Sequence, residues 1–421
     1  MATIEPFASI HYNSEAIEDI SKVVCPPYDV IDPRGQEECY QRHPYNIVRL
    51  ILGKDFAGDK AEENRYTRAA VYIEDWLRRG ILVQDKEPSI YFYEQIFSLE
   101  GRKKRRAGFI ALMRLEEEGE TKSIYPHEHT DIAPKEDRFK LIKSVEANLS
   151  PIFTVFSDRD AVFRGIFEEI AGHETPFLEA MEERNIENRV WRISSKPLID
   201  KVKAFLAEKE IFIADGHHRY EVAKMFRDHK RQQDAAHFKD SYNYIMTYFT
   251  PLEDDGLCIL PIHRIIKNAR FSPQDFSQCF TVKELSSQES LCSEMKEKEG
   301  QVGVFGLYAN KKFYLLKLTD KRECNRFIQD GPKEYKNLDV VILHKVVLDH
   351  ILKINPASVR YEVNLREAIK RVDEATADAL FILNPTKIDQ IRSIALSGEV
   401  MPQKSTYFYP KLLSGLLIHK F

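Results

Sequence analysis

The feature that most limits the fold is a short apolar run, Ile211-Phe212-Ile213-Ala214, that breaks at Asp215-Gly216 and leads directly into a helix-forming stretch ending near Lys230. A buried strand that feeds a helix through a glycine turn is a unit of α/β architecture. The same turn carries chemistry. His217, His218 and Arg219 open the helix, where unpaired backbone N–H groups and the positive end of the helix dipole favour anions. Gly216 lets the backbone approach a ligand, and two imidazoles and a guanidinium add donors suited to phosphate oxygens. A plainer alternative is an Asp N-cap followed by solvated histidines. A metal alternative pairs His217 or His218 with Glu221 one turn along, without a third ligand marked.

The chain has 421 residues, 43% hydrophobic and 11% aromatic, which excludes a fibrous or mostly disordered protein. At roughly 150 residues per domain, two or three domains are expected, each with its own core. Lys and Arg number 62 against 66 Asp and Glu, a net charge of −4, which argues against a protein whose main task is to coat nucleic acid. No apolar run reaches the roughly 18–20 residues of a membrane span, and the N-terminus shows no signal peptide. The six cysteines, Cys25, Cys39, Cys258, Cys279, Cys292 and Cys324, are scattered without a CxxC pair and read as reduced thiols. A soluble cytoplasmic protein with no membrane or nucleic-acid partner is expected.

Along the chain, Lys22–Cys25 and Asn46–Leu52 read as strands, and Glu62–Arg79 as a helix stopped by Gly80. Ser89–Leu99 and Ala107–Leu115 read as a hairpin whose tip, residues 100–106, is basic; solvated charge there is the simpler reading than a nucleic-acid contact. Leu338–Ile354 and Lys387–Leu396 read as helices. Domain boundaries are weakly marked, near residues 155 and 271–273.

Two further segments carry reactive side chains. In Tyr125-Pro126-His127-Glu128-His129-Thr130, two histidines flank a carboxylate, an arrangement fit for a general base with orienting neighbours, for zinc, or simply for a charged loop. Near the C-terminus, Lys404 with Ser405 and Thr406 offers a cation and hydroxyl donors to a phosphate group, though the glycines of a Walker A loop are missing. A surface edge strand is the alternative.

Taken in order, PHE (Pro126–Glu128), DGHHR (Asp215–Arg219), PTK (Pro385–Lys387) and GEV followed by KST (Gly398–Val400, Lys404–Thr406) resemble the ParB/sulfiredoxin-like free serine kinases. The wider chain resembles domain of unknown function family 1015, through Cys25–Ile31, the PHE turn, Asn148–Phe153, DGHHRY, Leu260–Arg264 and the MPQKST tail. The resemblance implies an α/β (α+β) fold. A ParB/sulfiredoxin-like core with an N-terminal extension and an insertion would occupy residues 1–270. An additional α/β domain would occupy 271–421, its last segment returning to the active site. It implies phosphoryl transfer between ADP or ATP, with Mg2+, and free L-serine or phosphoserine, in either direction. Glu128 would accept the hydroxyl proton, assisted by His127. Asp215, Gly216, His217, His218 and Arg219, with Lys404, Ser405 and Thr406, would bind the nucleotide phosphates. Tyr28, Asp29 and His129 would contact the substrate, a proline-rich structural turn being the alternative for the first two. The rival functions are a nucleotide-gated regulator of the ParB type and a metal-dependent phosphohydrolase using His127, His129 and His217 or His218.

Overall fold

The computed structural model describes every residue except Met1, Asp234, residues 323–325 and Asp330, so Cys324 lies outside the described residues. Packing divides the chain into two units. The first comprises Met1–Pro126, Thr130–Cys258 and Pro410–Phe421, and the second His127–His129 and Ile259–Tyr409. The fold is mixed α/β.

The first unit is built on a nine-stranded mixed sheet. Its strands run in the order Ile124–Tyr125, Ile211–Asp215, Ile152–Phe156, Tyr244–Pro251, Arg102–Arg114, Ile90–Leu99, Ile186–Ile193 and Leu178–Glu182, with Ile4–Glu5 added against Arg102–Arg114. Ile211–Asp215 is parallel to Ile124–Tyr125 and antiparallel to Ile152–Phe156. The helices Val162–His173 and Lys196–Ala207 bury Phe163, Ile166, Phe167, Ile199, Val202 and Leu206 against this sheet. The helix His217–Gln233 is buried on two sides. Tyr220 and Ala223 enter the main core, while Val222 and Phe226 join Ile142 and Tyr242 in a smaller one. Each such side chain contributes about 1.5–3 kcal/mol when fully buried, so the helix that follows Gly216 is firmly anchored.

The second unit centres on a six-stranded antiparallel sheet in the order Phe280–Leu285, Lys312–Leu318, Val304–Ala309, Ala379–Ile382, His263–Ile266, Val359–Glu362. Leu291 and Met295 from the helix Gln288–Glu297, and Ala368 from Leu365–Asp373, close its core.

Several local expectations are corrected. Asn46–Leu52 is not a strand: Asn46 accepts the Val48 N–H through its side chain, and a one-turn helix, Val48–Ile51, follows. Lys22–Cys25 is not a strand either, because Ile20–Lys22 forms a 3-10 turn and Cys25 makes only an isolated bridge to Ser414. The hairpin turn is shorter than expected. Glu100 and Gly101 take left-handed φ of 50° and 75°, which closes a two-residue turn, so Arg102 already begins the second strand. Arg106 is then fully buried, its guanidinium 4.6 Å from the Phe153 ring centroid and 2.7 Å from the Pro410 carbonyl. Arg105 bonds Glu94 and Glu168. Within 338–354, a short α-helix, Asp339–Ile342, continues as a π-helix, Leu343–Ile351. Among the described residues, no helix is long and apolar enough to cross a membrane.

Candidate functional site

In the first unit, the Ile211–Asp215 strand delivers the DGHHR turn after an irregularity in its pairing between Ile213 and Asp215. Gly216 has φ +93°, and a Cβ there would lie 2.9 Å from Ile152 Cγ2 and 3.0 Å from an Arg219 nitrogen. Both the backbone conformation and the space demand glycine. Helix bonding begins at once, the Tyr220 N–H donating to the Gly216 carbonyl at 3.0 Å.

The Asp215 side chain meets two cations. One carboxylate oxygen accepts from Arg219 Nη2 at 2.9 Å, and the other accepts from Lys411 Nζ. Arg219 also donates to the Pro151 carbonyl. Burial alone would raise the Asp215 carboxyl. The Lys411 and Arg219 cations outweigh it and hold the group well below the usual carboxylate range. Two cations thus meet one carboxylate beside the helix start.

The two histidines differ. His217 is buried, whereas His218 Nε2 accepts the Asp131 N–H at 3.0 Å and so ties the start of the helix Ile132–Val145 to the turn. That acceptor role requires an unprotonated Nε2. Tyr28 lies in the 3-10 turn Tyr28–Val30 with the Arg138 guanidinium 3.9 Å from its ring centroid, and Asp29 is exposed. Burial and the nearby Asp29 push the Tyr28 hydroxyl up to about 12.

In the second unit, the PHE segment runs beside the MPQKST segment. Glu128 forms a parallel bridge with Met401, whose N–H donates to the His127 carbonyl at 2.7 Å. Lys404 takes a left-handed φ of 56°, and its backbone N–H donates to Glu128 Oε1 at 2.9 Å. The Lys404 side chain is exposed. Thr406 is buried and pairs its hydroxyl with His127 Nε2 at 3.2 Å. The Ser405 hydroxyl donates to the Pro402 carbonyl, and the Ser405 carbonyl accepts from Thr386 at 2.9 Å. PHE, PTK and KST are thus one hydrogen-bonded assembly. His129 is exposed, joined by its N–H to the Met401 carbonyl at 3.4 Å.

Behind this assembly lies a residue that carried no role in the sequence reading. Arg264 is fully buried, and among the described residues no carboxylate hydrogen-bonds to it. It donates to the Lys404 carbonyl at 3.0 Å, to the Ile262 carbonyl, and to His344 Nε2 at 3.2 Å. Burial pushes the guanidinium down to about 10, against the pull of Tyr361 and Glu128. Arg264 thereby holds the carbonyl of the same residue whose N–H grips Glu128. Lys411 was likewise missed, being 196 residues from Asp215 in sequence.

The neighbours of Arg264 give an acid-sensitivity prediction. His344 accepts from Arg264, and His263 Nδ1 accepts the Leu383 N–H at 3.3 Å, so each ring carries a lone pair at that nitrogen. Burial, then Arg264, pushes His344 down to about 3 and His263 down to about 4. The native state refuses protons that the unfolded chain takes up near its ordinary value of about 6.5. Stability should therefore fall as pH drops from about 6.5 toward these folded values. The urea midpoint should be lower at pH 5.5 than at pH 7.5, and His344→Gln, which keeps an acceptor for Arg264, should flatten part of the decline. Equal midpoints would contradict the assignment.

Among the described residues, no group of three or more His, Cys, Asp or Glu side chains is placed to hold a metal ion.

The family model described as protein of unknown function (DUF1015) matches residues 4–341. The chain belongs to this family. No curated protein matches it. A conserved hypothetical protein from Pyrococcus furiosus superposes with a TM-score of 0.34 at 14% identity, covering 70% of this chain and 92% of that one. Free serine kinase in complex with AMP gives 0.33 at 14% identity, covering 68% and 83%. C-terminally truncated SbnI from Staphylococcus aureus gives 0.37 at 10%, covering 74% and 87%. TM-scores of this size do not establish a common fold. The DUF1015 match spans both the DGHHR turn and the PHE segment, and ends before PTK and KST.

Proposed function

We propose that this DUF1015 protein is a phosphotransferase, moving a phosphoryl group between ADP or ATP and the hydroxyl of a small metabolite, with free L-serine or phosphoserine as the first compounds to assay. A ParB/sulfiredoxin-like core is part of the same proposal. The observation that carries it is the convergence of two cations, Lys411 and Arg219, on Asp215 at the DGHHR helix start. Anions bind where helix N–H groups and cationic side chains meet. Phosphoryl transfer asks little more of a protein than positioning, charge stabilisation and a base at the acceptor.

Glu128 takes the part of that base. Its Oε1 is held by the Lys404 N–H, which orients the carboxylate for the part of receiving the hydroxyl proton. His127 and Arg264 are positioning residues: one is fastened to Thr406, the other to the Lys404 carbonyl. Both Asp215 oxygens are engaged by cations, so the described residues supply no ready carboxylate cage for magnesium. The ion would come with the nucleotide phosphates, as Mg2+ commonly does.

Arg219→Ala tests the phosphate assignment. Loss of a charged hydrogen bond costs about 1.5–3 kcal/mol, roughly 10- to 100-fold in affinity. Calorimetric titration with ADP should show that weakening. Unchanged ADP affinity would remove the turn from the site.

A further inference from the structure

We infer that Cys25 and Cys39 form a reversible disulfide, a modification site in the first unit apart from the DGHHR turn. Both are free thiols in this structure, and both are buried. Cys25 opens the Cys25–Ile31 motif and is held by a backbone bridge to Ser414. Cys39 lies in the helix Pro33–Arg42 and is the one buried residue of that helix. The two thiols hydrogen-bond to each other. A disulfide needs sulfurs that are already neighbours, and these two meet that need.

A single buried thiol usually serves as a small apolar side chain. Here the thiol is paired, and its helix is otherwise exposed or half-buried. Gln36 and Glu37 add polar ties to the Leu52 carbonyl and to Lys54, but no second buried side chain anchors the helix. Local opening of a segment so lightly anchored brings an oxidant to the sulfurs. The two thiols are also unequal. The hydrogen bond from Cys25, helped by Arg42, holds the Cys39 thiol below its usual range against the effect of burial. Burial, then Cys39, pushes the Cys25 thiol up. Cys39 is therefore the attacking thiolate and Cys25 the resolving thiol.

With hydrogen peroxide as oxidant, the Cys39 thiolate attacks one peroxide oxygen. The O–O bond breaks, hydroxide leaves, and a sulfenic acid forms. The Cys25 sulfur then attacks the sulfenic sulfur. The S–O bond breaks as the S–S bond forms, and the hydroxyl departs with the Cys25 proton as water. The first hydroxide takes up the proton that Cys39 released. Two thiols and one peroxide thus yield one disulfide and two waters, the sulfurs losing the two electrons that peroxide gains. A dithiol reductant reverses the bond by exchange. The link ties the helix to the motif that holds Tyr28, whose ring centroid lies 3.9 Å from the Arg138 guanidinium.

The test treats the folded full-length chain with hydrogen peroxide, blocks remaining thiols in denaturant, and maps tryptic peptides by mass spectrometry without reduction. Cleavage after Lys22, Arg34 and Arg42 places the two cysteines on separate peptides, residues 23–34 and 35–42. These are expected as one linked species, two hydrogens lighter than their sum, that dithiothreitol separates. The urea midpoint should rise on oxidation, since the bond closes a loop of about 15 residues, and return on reduction. In Cys39→Ser the linked species and the peroxide-dependent rise should both be lost. If that variant does not fold, the wild-type peptide map decides alone. Absence of the linked species in a sample whose exposed Cys292 has been oxidised, or pairing of either cysteine with a different one, would overturn the inference.

Discussion

Glu128→Gln should lower turnover by about 10²- to 10⁴-fold while leaving ADP affinity within about twofold. The reason for the split lies in what glutamine keeps. Its amide oxygen can still accept the Lys404 N–H that Glu128 Oε1 now accepts at 2.9 Å, so the MPQKST segment retains its anchor. What disappears is the ability to take a proton from the acceptor hydroxyl. The parallel bridge between Glu128 and Met401 is made by backbone, so it does not depend on the side chain. A variant that loses ADP binding along with turnover would show that Glu128 organises the nucleotide site, and would end its assignment as base.

The largest stability effect is expected at Asp215. Its side chain is 16% exposed and lies between the Lys411 ammonium and the Arg219 guanidinium. Removing one partner of a buried pair typically costs about 3–5 kcal/mol, because the other charge is left without compensation. Asp215→Asn removes the carboxylate that both cations meet, so a loss within this range is expected from urea denaturation. Lys411→Met on the Asp215→Asn background should restore a large share, and that recovery separates charge imbalance from general loss of packing. The same pairing sets a pH dependence. The folded carboxyl is held below its ordinary range, so its contribution is complete above about pH 4. It should decline as pH falls below that and vanish near the folded value. Asp215→Asn should remove this part of the acid limb. An unchanged acid profile would mean that the two cations do not stabilise the carboxylate as described.

How much of this was legible in the sequence varies with the distance over which each feature is determined. The helix Arg65–Arg78 follows from apolar residues at helical spacing, with Asn64 and Thr67 completing a capping box at its start. The strand, glycine turn and helix around Gly216 were readable for the same reason: every determinant lies within about ten residues. Asn46–Leu52 was misread because a short apolar run has no decisive period, and a buried helical turn whose Val48 N–H is met by the Asn46 side chain suits it as well as a strand does. The hairpin tip was overestimated because charge suggested exposure. Cation–π contact with Phe153 and a carbonyl from residue 410 instead take Arg106 inside.

The site was legible in parts. PHE, DGHHR and KST could each be singled out by residue type, but what each side chain does depends on distant partners. Ser405 and Thr406 were expected to present hydroxyls to phosphate. The structure places those hydroxyls on Pro402 and His127. Lys404 was expected to act through its ammonium, and it is the backbone N–H that meets Glu128. Arg264 and Lys411 act across 140 and 196 residues of chain, so no local pattern could assign them. The Leu260-Pro261-Ile262-His263-Arg264 motif was visible as a family mark, and only the fold gives it a purpose.

The most direct test of phosphoryl transfer is phosphorus NMR on the purified full-length protein with magnesium, run in both directions. One sample contains ATP or ADP with L-serine, and the other phosphoserine with ADP or AMP. The account predicts that phosphate signal moves between nucleotide and serine in at least one direction, and that Glu128→Gln stops it. A folded wild-type protein that transfers no phosphoryl group to or from serine, or to any hydroxyl compound in a metabolite panel, would contradict it.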